Sequence, residues 1–171
     1  AEEQQAFARQ AVAARAAEVG VDLATFVAPL GPDPDDLAGT AASEACAQAG
    51  RDLDELLGDR LFLVRVDRIE LSKNILRGFL AFDQLLETRP QWRGRVVFGA
   101  LVYPSRGDVE AYRRYREDVE ATVAGINERW GTDGWTPIAY EPDDDYPRSV
   151  AALRRADAVV VNPVRDGLNL V

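Results

Sequence analysis

The amino-acid sequence predicts an α/β fold, a doubly wound Rossmann-like parallel sheet with helices on both faces. Two observations predict it. Short apolar, β-branched runs (LFLVRV, RVVFGALVYP, TPIAYE and AVVVNP) recur from residue 61 onward. Between them lie longer segments whose apolar residues fall at helical spacing, so that strand and helix alternate as in βαβ units.

The elements follow in order. Residues 2–18 are Ala-rich and helix-favouring, ending before Gly20. VDLATFVAPLG, 21–31, reads as an extended segment that runs into the punctuated linker GPDPDD. A second helical region spans about 35–57 and contains the only cysteine, Cys46. LFLVRV, 61–66, suits a strand buried on both faces. A helix over 75–90 carries Ile75, Phe79, Phe82 and Leu86 on one stripe, with Pro90 at its end. The second strand is 95–104. The long helix after it places Val109, Tyr112, Val119, Val123, Ile126 and Trp130 on its apolar stripe. A third strand at 136–141, a helix in PRSVAALRRAD and a fourth strand at 158–163 complete the pattern, with DGLNLV opening one more helix.

Composition narrows the function. The 171 residues fit one domain, and 47% hydrophobic with 29% charged residues is globular. No apolar run approaches the roughly 20 residues that span a bilayer, and AEEQQAFARQ lacks signal-peptide character. A net charge of -9 argues against nucleic acid as a partner. A lone Cys46 excludes an internal disulfide and points to a reducing, cytoplasmic setting. Cys46 itself reads as a packing residue. The absence of His removes Ser-His and Cys-His pairs and every His metal site. Chemistry here must use carboxylates, cations or backbone dipoles. The chain has no Met, initiator included, which fits a processed chain or a fragment equally.

In doubly wound sheets ligands bind beyond the carboxyl ends of the strands. Arg68 and Lys73 follow the first strand, Ser105 and Arg106 the second, Asp143–Asp145 the third, and Arg165, Asp166, Gly167, Leu168 and Asn169 the fourth. Arg68 and Lys73 are either solvated loop charges or a fork and a point charge for a diphosphate. Ser105 and Asp108 resemble a helix capping box, which leaves Arg106 as a cation at a helix N-terminus, suggestive of an anionic ligand. Asp166-Gly167 fits a tight turn, or a turn that aims N–H groups at phosphate. Asp143–Asp145 read as a capping turn ahead of Pro147. No dinucleotide or P-loop glycine fingerprint is present.

Together, VDRIELSKN, YPSRGDVEAY, GINERWGTDGWTPI and NPVRDGLNLV resemble the second half of the trehalose-phosphate synthases, the family 20 glycosyltransferases. The resemblance runs from about Ala28 to the end, and PLGPDP is similar to the segment joining that family's two domains. It implies one half of a GT-B fold: residues 1–32 as an N-terminal helix and extended linker that would be a remnant of the acceptor domain, and 33–171 as the nucleotide-sugar-binding domain. It further implies glucose transfer from UDP-glucose, or GDP-glucose, to glucose 6-phosphate with retention, without metal or other cofactor. By the resemblance Arg68 and Lys73 hold the donor diphosphate, Asp166 accepts from glucose hydroxyls, and Gly167, Leu168, Asn169, Leu170 and Val171 contact the donor. Arg106 reaches the acceptor phosphate. The sequence departs from the family strings at Leu71, in place of an aromatic residue, at Asn74, in place of Gly, and at Leu168, in place of Met. The chain also stops before the family's Lys-Glu, so it reads as an excised donor half with little turnover alone. Homo-oligomerisation is left open for the full-length enzyme. The alternatives are a glucosylglycerol-phosphate synthase, a pseudo-glycosyltransferase with another acceptor, or a non-catalytic interaction module.

Overall fold

The structure is a computed structural model that describes residues 2–21, 31–164 and 166. Helix α1 is Glu2–Glu18, and most of the extended segment expected after it lies outside the described residues. The helical region expected over about 35–57 consists of two helices, α2 (Pro34–Ala41) and α3 (Glu44–Leu57). Ser43 divides them because its hydroxyl accepts from the Cys46 N–H at 3.1 Å. Serine satisfies a free helix N–H better at an N-cap than inside a helix.

Strand β1 (Leu61–Ile69) comes next, then a 3-10 turn at Leu71–Lys73 and helix α4 (Ile75–Thr88). Strand β2 is Val96–Pro104, helix α5 Glu110–Trp130, strand β3 Ile138–Glu141, helix α6 Tyr146–Arg155 and strand β4 Ala158–Val159. The strands pair in parallel in the order β3-β2-β1-β4. Strand β1 runs three residues beyond the apolar string that announced it, through a full register ending at Arg68↔Tyr103 and Ile69↔Pro104. Arg68 is therefore on the strand, not in the loop after it.

Right-handed crossovers put α4 and α5 on one face of the sheet, since β1, β2 and β3 step in one direction. Helix α6 steps back to β4 and packs against α3 on the other face. With both faces covered, β2 is buried from Val96 through Val102. The stripe of Ile75, Phe79, Phe82 and Leu86 faces it as expected. Phe79 and Phe82 each meet Phe98 edge-on at 5.4 Å between ring centres, a geometry that adds about 0.5–1.5 kcal/mol per pair to the burial. Gly99 is required on the other side. A Cβ there would lie 2.4 Å from the Phe62 ring.

Helix α5 turns its face differently from the expected stripe. Tyr115, Val119, Val123 and Ile126 are buried, whereas Val109 is the exposed N-cap. The reason is polar: the Tyr115 hydroxyl accepts from the Ile75 N–H at 2.9 Å and so caps α4 from across the layer. The capping box expected from Ser105 and Asp108 does not form. Arg106 has φ 48°, a left-handed residue that turns the chain before the helix starts at Glu110. The Ser105 hydroxyl instead donates to Glu70 at 3.2 Å. Asp145 does cap α6, accepting from the Arg148 N–H at 2.9 Å, with Pro147 in the first turn. Cys46 is buried, a packing residue as expected.

Candidate active site

The strand order locates a crevice. The chain leaves β1 toward β2 and β3, then returns to β4 on the far side of β1. The crossovers α4 and α5 lie on one face and α6, which leads into β4, on the other, so the strand order reverses at β1 and β4, the kind of switch point beyond whose carboxyl ends ligands bind.

Lys73 enters that space from the 3-10 turn. Its Nζ lies 2.6 Å from Asp166 Oδ2 and 3.2 Å from Asp67 Oδ1, and its side chain is only 12% exposed. Burial works against the ammonium, but the bonds and charges of Asp166 and Asp67 outweigh it, so the Lys73 pKa rises above its ordinary 10.5. Lys73 and Asp166, two residues singled out in the sequence, are thus brought together from opposite ends of the domain.

Beneath them lies a residue that the sequence reading missed. Arg65 is fully buried in the middle of β1. Its Nε donates to Asp67 Oδ2 at 2.9 Å, Nη1 to Asn162 Oδ1 at 2.6 Å, and Nη2 to the Lys73 carbonyl at 2.5 Å. Arg65 and Asp67 share a face of the strand because side chains alternate along it. Asn74 and Asn162 join the same group, with Asn74 Nδ2 donating to the Asn162 carbonyl at 3.0 Å. The interruption of LFLVRV by an arginine was the available signal, as no solvent reaches a strand interior there.

Arg68 points from the other face. Its side chain is 52% exposed and its Nη1 is 3.0 Å from Glu70 Oε1, the oxygen that also accepts from Ser105. Glu70 thereby ties the end of β1 to the end of β2. Tyr103, the register partner of Arg68, stands beside it. Burial and the Asp144 charge push its phenol up, while Arg68 and Lys73 pull it down, so Tyr103 sits among the charges of several loops. Arg106 is exposed and folded back, its guanidinium 5.5 Å from the Tyr112 ring centre and Nη1 3.3 Å from the Tyr112 hydroxyl. Arg165 and 167–171, which include Gly167, Leu168, Asn169, Leu170 and Val171, lie outside the described residues.

Lys73, held between two carboxylates, and the arginines Arg68 and Arg106 thus gather near the carboxyl ends of β1 and β2, where a doubly wound sheet binds its ligands. The model of glycosyltransferase family 20 matches residues 7–171. The chain belongs to glycosyltransferase family 20. Among curated members it is 36% identical over 153 residues to the trehalose-6-phosphate synthase of Salmonella arizonae, and 34% identical to that of Klebsiella pneumoniae. Each match covers 89% of this chain and 32% of the relative, so the chain spans about a third of the length of the curated relatives it matches.

Solved members of the family superpose well. The UDP-forming alpha,alpha-trehalose-phosphate synthase of Burkholderia xenovorans in complex with glucose-6-phosphate gives a TM-score of 0.76 at 34% identity, covering 83% of this chain and 31% of that one. The E. coli trehalose-6-phosphate structure bound with UDP-2-fluoro glucose gives 0.76 at 34% identity, covering 85% and 32%. The four-stranded sheet and its helices correspond to one half of the GT-B fold of these structures.

The family strings also explain a departure. Asn74, where the family strings carry glycine, has φ 58° and ψ 38°. Asparagine is among the few residues that adopt this left-handed conformation at low cost, so the turn that delivers Lys73 keeps its shape. Leu71 is half exposed at 51%. Nothing in the structure explains its replacing an aromatic residue.

Proposed function

We propose that this chain is the nucleotide-sugar-binding half of a retaining glucosyltransferase of the trehalose-phosphate synthase kind, which transfers glucose from UDP-glucose to glucose 6-phosphate. The observation that carries the reading is the convergence of Lys73 and Asp166, at 2.6 Å, in the crevice between β1 and β4. Arg68 and Arg106 stand at the ends of the neighbouring strands. The relatives named above, with UDP-2-fluoro glucose in one and glucose-6-phosphate in the other, supply the substrate classes.

In this reading Lys73 and Arg68 bind the donor diphosphate and offset the charge that grows on it as the glycosidic bond breaks. Charges fixed in advance stabilise that state more than water does, because they need not reorganise. No metal is needed to neutralise the leaving group. Asp166 accepts from glucose hydroxyls, the backbone of 167–171 contacts the donor, and Arg106 swings from Tyr112 to meet the acceptor phosphate. The partners are small molecules, and the enzyme acts in the cytoplasm. Among the described residues no helix is long and apolar enough to cross a membrane.

The test is the reaction of the intact enzyme. UDP release from UDP-glucose should depend on glucose 6-phosphate and yield a phosphorylated non-reducing disaccharide. Calorimetry should detect UDP binding. No UDP binding, or release that is indifferent to glucose 6-phosphate, would overturn the reading.

A further inference from the structure

We infer that Arg65 is a positioning residue for Lys73, holding it from both ends so that its ammonium is presented to a donor diphosphate. The inference rests on the donor-site reading of Lys73 given above.

A guanidinium in the centre of a sheet needs a reason. Apart from Asp67, to which Arg65 is bonded, the buried positions of β1 (Phe62, Val64 and Ile69) are apolar, and a buried charge pair gains little over apolar residues of similar volume. The Arg65 side chain is fully enclosed, and all of its named bonds run to the Lys73 turn or to what holds it. Nη2 fixes the main chain of Lys73 through its carbonyl, at 2.5 Å. Nε orients Asp67 by one carboxylate oxygen, at 2.9 Å, leaving the other oxygen 3.2 Å from Lys73 Nζ. Nη1 holds Asn162 at 2.6 Å, and the Asn162 Nδ2 donates to the Asn74 carbonyl next to Lys73 at 3.4 Å. A lysine stem has four rotatable bonds and loses much rotamer freedom when held. Fixing its backbone and its ammonium through one planar fork places that loss in the fold, before any ligand arrives.

Gly78 supports the same assignment from a different element. It lies in the interior of α4, where glycine is the poorest helix former after proline. A Cβ at Gly78 would stand 2.8 Å from Arg65 Nη1 and 3.5 Å from Asn162 Oδ1. The glycine is the space the guanidinium occupies.

A double-mutant cycle separates positioning from general support, because residues that act through each other are not additive. UDP affinity is measured by calorimetry on the intact protein for Lys73→Ala, Arg65→Met, Gly78→Ala, and for the last two combined with Lys73→Ala. Arg65→Met should weaken UDP binding about tenfold, the scale of a lost charge-assisted bond, and should do nothing further once Lys73 is alanine. Gly78→Ala, which keeps the guanidinium but displaces it, should show the same dependence with a smaller loss. It favours the helix, so it decides the matter if Arg65→Met does not fold. No loss with either variant, or an equal loss in both backgrounds, overturns the inference and leaves the donor site intact. Unchanged affinity on Lys73→Ala alone overturns the donor-site reading and this inference with it.

Discussion

The Lys73 ammonium and the Asp166 carboxylate meet at 2.6 Å although 93 positions separate them along the chain. With Asp67 on the other side, the ammonium is already neutralised before a donor arrives. A diphosphate must share Lys73 with these carboxylates or displace one. Asp166→Asn removes a competing charge, so UDP should bind roughly two- to tenfold tighter, the worth of one exposed-to-buried ion contact. Transfer from UDP-glucose should nevertheless slow, since the carboxylate proposed to accept from the sugar is gone. Calorimetry with UDP and turnover with UDP-glucose read the two effects separately. Weaker UDP binding would mean that Asp166 supports Lys73 instead of competing for it.

Lys73→Ala removes the buried cation itself. The loss in transition-state stabilisation should be about 2.7–4 kcal/mol, the scale set by deleting one pre-placed donor to a developing anion. Arg68→Ala should fall at the low end of that range, because its side chain is 52% exposed and water screens it. Steady-state kinetics of the intact enzyme measure both. Unchanged turnover for either would return that residue to the solvated-charge reading.

The alkaline limb of stability follows from the raised Lys73 pKa. Burial lowers it, but Asp166 and Asp67 raise it more, leaving the folded value above 10.5. A group whose folded pKa is raised contributes stability in full below its unfolded pKa, and loses it as pH climbs through the folded value. The difference in Tm between the wild type and Lys73→Gln should therefore be constant at neutral pH and shrink only above pH 10.5. Thermal melts across that range provide the check, and a difference that shrinks near neutrality would contradict the assignment.

Much of the layer architecture was legible because its signal is periodic. LFLVRV and RVVFGALVYP had to be strands enclosed by helices, and Ile75, Phe79, Phe82 and Leu86 had to face them. What periodicity does not carry is a polar bond between distant elements. The Tyr115 hydroxyl capping α4 decided the face of α5, which Tyr112 had been expected to share. The left-handed Arg106 undid a capping box that spacing alone suggested. In the site, the charged strand ends pointed to Lys73 and Asp166, since topology dictates where ligands bind. Arg65 and Asn162 stayed hidden because their value lies in bonds to the Lys73 turn, 8 positions from Arg65 to Lys73 and 88 from Asn74 to Asn162.

Asn74 provides a test of how that turn is held. Its backbone is left-handed, at φ 58°, and its side chain donates to the Asn162 carbonyl at 3.0 Å. Asn74→Gly keeps the conformation at no steric cost and loses one hydrogen bond, about 1 kcal/mol. Asn74→Ala loses the same bond and also forces a Cβ into a region that costs about 1–2 kcal/mol without a local polar contact. The alanine variant should therefore melt at a lower temperature than the glycine variant, and the glycine variant below the wild type. UDP affinity should follow the same order, because strain at Asn74 is relieved by moving the adjacent Lys73 carbonyl away from Arg65. If alanine were tolerated better than glycine, chain entropy and not the left-handed turn would govern this position, and the family's glycine here would need a different explanation.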